Sequence, residues 1–199
     1  SARVHAVVTA ADLPEIDRIP VRVAVADQPL DAYLQPVLAR ERVHYVGEPV
    51  AVVLAEDPYS AEDAAELVAI AYEELPAVLD LRAAERAAEL EMGYGDVEAA
   101  FAIAAHVTRA EFTIGRHSAV PLETRGLLAA PRDGRLEIWG TTKVPHFNRR
   151  LLASMLGIPV EEIHLHTADA GGGFGVRGEF YPEDYLVPWL AQRTDRPVK

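Results

Sequence analysis

The stretch from Val50 to Pro76 constrains the fold most, because its hydrophobic period changes twice within it. Val50-Ala51-Val52-Val53-Leu54-Ala55 is a continuous apolar run, the pattern of a strand covered on both faces. Ser60 follows Pro58 at two residues and precedes Asp63 by three, a capping-box-like start, and Ala61, Ala64, Ala65 and Val68 continue at helical spacing. From about Leu67 the pattern switches, and Val68, Ile70 and Tyr72 alternate as a strand that ends at Glu74-Leu75-Pro76. Strand, helix and strand in so short a span predict an α/β unit.

Upstream, Val4 to Thr9 reads as a short strand with Ala11-Asp12-Leu13-Pro14 as its exit turn, and Val43 to Val46 as a further β-rich run stopped by Gly47 and Pro49. Residues 14–40 show no clean period. From Leu81 to Gly95 the composition turns to Ala, Glu and Arg and is then punctuated by glycine, which suits a mobile connector or a weak surface helix between two units. The organisation expected is therefore a first unit over 1–82, a linker over 83–95 and a second unit over 96–199. In the second unit Asp96 caps a short helix through Phe101, and Val107 to Ile114 alternates as a strand. Asp133-Gly134 between Leu127–Ala130 and Leu136–Gly140 signals a hairpin. Pro145 opens a helix whose apolar face is Phe147, Leu151, Leu152, Met155 and Leu156, and Gly157 with Pro159 ends it. Ile163, Leu165 and Thr167 alternate as a strand leading into a glycine-rich loop, and Pro182 starts a last helix that Pro188 must kink or displace. The first residues, Ser1-Ala2-Arg3, run straight into an apolar segment, and Pro197-Val198-Lys199 stop where another strand is due, so both ends read as cut.

Composition removes several function classes. The 199 residues are 50% hydrophobic and 25% charged, the balance of a folded globular chain, and no run approaches the roughly 20 apolar residues of a membrane span. With no cysteine, the chain has no disulfide, thiolate nucleophile or iron–sulfur ligand of its own, which suits a reducing, cytoplasmic setting. A formal charge of −12 opposes binding to a phosphate backbone, so nucleic acid is not an expected partner.

The loop Gly171-Gly172-Gly173-Phe174-Gly175-Val176-Arg177-Gly178 carries the chemistry. Glycines permit positive φ and close approach of main-chain amides to a ligand, so such a loop cradles an anion or an oxo group, or else simply packs helix on sheet. Gly173, Gly175 and Gly178 also satisfy a dinucleotide-binding pattern, but its helix would then contain Pro182 and Pro188, each costing ~3 kcal/mol in an interior position. Glu123 and Arg125 lie two apart and are expected to pair along one strand face. His44, His106, His117, His146 and His164 show no metal-triad spacing, and His164 and His166 share one strand face. Trp139, Tyr94 and Trp189 read as packing residues.

Five segments together, Tyr45–Glu56, Ala64–Val68, Tyr72–Val78, Pro121–Gly126 and Gly171–Arg177, stand in the order and spacing of the xanthine dehydrogenase and aldehyde oxidase family, which the chain resembles over nearly its whole length. The resemblance implies an α+β (α/β) fold: a partial hammerhead unit over 1–82, then the start of a mixed α/β molybdopterin-binding domain over 96–199. It implies that Gly172, Gly173, Phe174, Gly175, Val176 and Arg177 bind the cofactor, with Arg177 facing its phosphate or a neighbouring carboxylate. Lys143 stands where the family has a Gln that donates to an oxo ligand, and Gly178 where xanthine-oxidising members have a carboxylate, which disfavours purine although Glu179 is adjacent. The family's catalytic glutamate lies outside this chain, so no catalytic or metal-ligating residue is assigned within it. The parent so implied is a molybdenum hydroxylase of an aldehyde or heterocyclic carbon. It works with iron–sulfur and FAD subunits or domains as a homo-oligomer, and the isolated piece is inactive and free of molybdopterin. A nucleotide-binding module and a non-catalytic assembly domain are the alternatives.

Overall fold

The computed structural model describes residues 3–16, 18–22, 30–115 and 117–199. Strand β1 (Val4–Thr9) pairs antiparallel with β2 (Ala51–Ala55), from Thr9 opposite Ala51 to Val4 opposite Ala55, with an irregularity between Val4 and Ala6. Helix α1 (Pro58–Glu66) packs on this ribbon. Its N-cap is Asp57, not the expected Ser60: the Asp57 carboxylate accepts from the Ser60 amide at 2.9 Å and from its hydroxyl at 2.8 Å. Pro58 explains the shift, since its fixed φ and missing N–H suit the first helical position and leave the preceding residue to cap.

Val43–Val46, expected as a β-rich run, and Val68–Tyr72 and Val107–Ile114, expected as strands from their alternation, form neither strand nor helix. Ile70, Tyr72, Phe112 and Ile114 are exposed. Alternation marks a candidate face, but a strand needs a neighbouring edge, and no described strand lies beside these segments. Helix α2 (Val97–Ile103) does form, capped by the Asp96 carboxylate on the Ala99 amide at 2.9 Å.

The second sheet has the order β3 (Leu127–Arg132), β4 (Arg135–Gly140), β5 (Ile163–His166). Asp133 and Gly134 both have positive φ, 51° and 74°, the two-residue turn whose twist matches a hairpin. A parallel neighbour needs a crossover, and helix α3 (Pro145–Leu156) supplies it between β4 and β5, ending at Gly157 in the left-handed region. Helix α4 (Pro182–Thr194) passes through Pro188 without a break, so Pro188 does not displace its boundary. The core forms where α3 and α4 cover the sheet: Ala129, Leu136, Ile138, Leu152, Ile163, Tyr185, Leu190 and Ala191 are buried, in one cluster with Val8, Val37 and Leu38 from the first unit. Val198 exchanges two backbone hydrogen bonds with Ala129, extending the sheet edge at the position where a strand was expected. Among the described residues no helix is long and apolar enough to cross a membrane.

Tyr185 is fully buried and its hydroxyl has no partner among the described residues, so burial pushes its pKa up to about 12. An unsatisfied buried hydroxyl is a net cost, so Tyr185→Phe is expected to leave stability unchanged or raise it by about 1 kcal/mol. The urea midpoint measures this, and a fall would reveal a partner for the hydroxyl.

Candidate functional site

The chain leaves β5 at His166 and turns through residues 167–170 into the glycine-rich loop ahead of α4. Glu123, from the segment before β3, buckles this loop at its start. Its Oε2 accepts from the Gly171 amide at 2.6 Å, its own amide donates to the Gly171 carbonyl at 3.2 Å, and the Thr141 hydroxyl donates to Oε1 at 2.7 Å. A Cβ at Gly171 would lie 2.5 Å from the Glu123 Cβ, so only glycine permits this approach.

Past the buckle the backbone enters the left-handed half of φ space, at 107° for Gly172, 47° for Phe174 and 101° for Gly175. A phenylalanine held there stores strain of order 1 kcal/mol, a feature that clusters at ligand sites. The Val176 amide donates to the Gly173 carbonyl and the Gly178 amide to the Gly175 carbonyl, both at 3.0 Å. The amides of Gly172, Gly173, Phe174 and Gly175 have no acceptor among the described residues. Consecutive free amides on a positive-φ loop form a concave donor surface suited to an anionic or oxo ligand.

Arg177 points inward. It is 3% exposed, with Nη2 donating to the Glu123 carbonyl at 2.6 Å and standing 3.3 Å from the Glu123 carboxylate, while its Nε has no described partner. Nη2 also donates to the Thr124 carbonyl at 3.3 Å. Lys143 closes the far end: its amide donates to the Arg177 carbonyl at 3.0 Å, and its Nζ would stand 3.4 Å from a Cβ at Gly178. The absent side chain at Gly178 and the long one at Lys143 therefore share one space.

Glu123 and Arg125 do not pair as expected. Residues 121–126 are not in a strand, so the two-residue spacing does not put them on one face. Arg125 instead reaches Glu183 at 2.7 Å and Asp184 at 3.0 Å and lies over the Tyr181 ring at 4.1 Å, bracing the first turn of α4. Nor does α4 begin inside the glycine motif: a separate turn, Val176–Gly178, intervenes, and the helix starts at Pro182. That geometry is unlike a dinucleotide fingerprint, whose helix grows directly from its glycines.

The Gly171 amide, then the Thr141 hydroxyl and more weakly Arg177, hold the Glu123 carboxyl below the ordinary glutamate range. A carboxylate whose folded pKa is depressed supports the structure fully above its unfolded pKa and loses that support as pH falls through the folded value. The Gly171 amide resonance is thus expected to move only on acidification below the ordinary glutamate range, and to sit at the moved position at every pH in Glu123→Gln. A resonance in Glu123→Gln that matched the native one at neutral pH would reject the buckle.

Sequence comparison matches residues 1–76 to the aldehyde oxidase and xanthine dehydrogenase a/b hammerhead domain and residues 81–199 to the molybdopterin cofactor-binding domain. The 6-hydroxypseudooxynicotine dehydrogenase complex subunit gamma of Paenarthrobacter nicotinovorans is 42% identical over 85% of this chain and 23% of its own length. The nicotine 6-hydroxylase large subunit of the same organism is 35% identical over 98% of this chain and 26% of its own length. Quinoline 2-oxidoreductase from Pseudomonas putida 86 superposes with a TM-score of 0.84 at 36% identity, covering 98% of this chain and 27% of that one. The chain thus spans about a quarter of the length of these relatives.

Proposed function

This chain belongs to the xanthine dehydrogenase and aldehyde oxidase family of molybdopterin-binding proteins, and we propose on that footing that it joins a hammerhead unit to one wall of the cofactor pocket in a molybdenum hydroxylase. The observation that carries the proposal is the row of amides at Gly172, Gly173, Phe174 and Gly175, unpaired among the described residues and held out by the Glu123 buckle. A molybdenum–pterin group bound there supplies the two-electron chemistry that oxidises an aldehyde or heterocyclic carbon, with water as the oxygen source.

The residues of this chain orient and hold. Glu123 sets the height of the loop against the sheet, and Arg177 ties Glu123 to the loop's far side. The amides of this loop would hold an electronegative part of the cofactor, and the exposed Phe174 ring would shield it from water. Lys143 brings a cationic donor to the Gly178 end, where a relative with a carboxylate would bring an acceptor. The lack of a carboxylate at Gly178 disfavours purines, and the names of the nicotine and quinoline enzymes favour a nitrogen heterocycle.

The base that takes the proton, and the iron–sulfur and FAD groups that take the electrons, belong to other parts of a homo-oligomeric, cytoplasmic enzyme. The domains divide at a linker over 83–95, and the 199-residue chain alone retains no cofactor. Molybdenum and pterin content of the intact enzyme tests the proposal: one of each per active site supports it, and an active preparation lacking both rejects it.

A further inference from the structure

On the sheet face opposite the helices, Glu137, His164 and His166 converge. The parallel register sets Glu137 beside His164 and Trp139 beside His166. Strand alternation sends Leu136, Ile138 and Ile163 into the core and these polar side chains to the other face. Glu137 Oε1 lies 3.1 Å from His164 Nδ1, and Glu137 Oε2 contacts His166 Nε2. One ligand atom from each residue lies within 4.8 Å of the others.

We propose that Glu137, His164 and His166 form a binding site for one divalent first-row transition ion, best matched by Zn²⁺, with a fourth position open to solvent. Zinc bonds of 2.0–2.2 Å set tetrahedral ligand atoms about 3.3–3.5 Å apart, so small side-chain rotations close the observed spread around an ion. Two imidazoles and a carboxylate suit zinc, copper or nickel and disfavour calcium and magnesium, which take oxygen ligands. Entry is open, because the His164 and His166 side chains are 37% and 47% exposed, while Glu137 at 14% is shielded enough to interact strongly. Trp139 stacks on the His166 ring at 5.1 Å and 13°, fixing the plane from which Nε2 points. This site stands on the β4–β5 pair and is independent of the cofactor proposal. An ion there would cross-link the two strands just ahead of the glycine-rich loop.

The competing explanation is a carboxylate shared by two histidines through hydrogen bonds alone, and metal binding separates the two. The chelator-treated intact protein is dialysed against Zn²⁺ at equilibrium, with zinc and molybdenum counted separately by elemental analysis. One zinc per chain is expected whatever the molybdenum content. Because loss of an outer-shell partner already weakens metal sites 10–100-fold, His164→Gln and His166→Gln are each expected to weaken binding by at least about tenfold. His106→Gln, at an exposed residue elsewhere, leaves it unchanged. Co²⁺ as a probe is expected to give the intense visible bands of a four-coordinate complex, weakened in the same variants. Zinc uptake by the native protein no greater than that of a folded His164→Gln/His166→Gln double variant overturns the proposal. Should the double variant not fold, absence of four-coordinate Co²⁺ bands in the native protein does so.

Discussion

Gly172→Val is expected to empty the cofactor site of the intact enzyme, lowering molybdenum content at least about tenfold while the protein still folds. At φ 107° a β-branched residue is strained by about 1–3 kcal/mol. Its Cβ would meet the Phe174 ring at 3.0 Å and the Pro121 Cβ at 3.1 Å, so relief requires the loop itself to move. A shift that costs the bound state about 1.4 kcal/mol is already a tenfold loss of affinity. Gly93→Val is the control, because a Cβ there meets nothing within 4 Å and its φ is ordinary. Molybdenum per protein measures both, and native occupancy in Gly172→Val would show that the loop does not touch the cofactor.

Ile138→Ala is expected to destabilise the fold by about 2–5 kcal/mol, the range for truncating a well-packed aliphatic residue. Ile138 is 1% exposed in the middle of β4, with β3 and β5 on either side, so the void cannot be closed by a surface movement. Leu79→Ala, at a residue 93% exposed, is expected to change stability by less than about 0.5 kcal/mol. Urea unfolding measures the pair, and a cost below about 1 kcal/mol at Ile138 would mean that this sheet is not the folding core.

Much of the second unit was legible because its signals are local. The Asp133-Gly134 turn, the Pro145-to-Gly157 helix and the Pro182 helix start each depend on backbone preferences of a few neighbouring residues, and each formed where those preferences placed it. The glycine-rich loop was legible for the same reason. The strands expected at Val68–Tyr72 and Val107–Ile114 failed because alternation records only which residues share a face. Whether another strand's edge lies within hydrogen-bonding distance depends on the rest of the chain.

The same limit hid the anchors of the site. Glu123 and Gly171 are 48 residues apart, and no spacing rule links them. Arg125, two residues from Glu123, looked the nearer partner only because a strand was assumed there. Glu137 lies 29 residues from His166 and meets it through a parallel pairing that a sequence pattern cannot register.

From its residues alone this protein determined where the chain turns, which helices start and stop, and which loop is stripped of side chains by glycine, since φ preference, capping and glycine content act over a few bonds. Tertiary structure decided that Glu123 holds that loop, that Arg177 turns inward and that two histidines meet a carboxylate. Contacts between distant residues follow from how sheets and helices pack, and that information is carried by the whole chain at once.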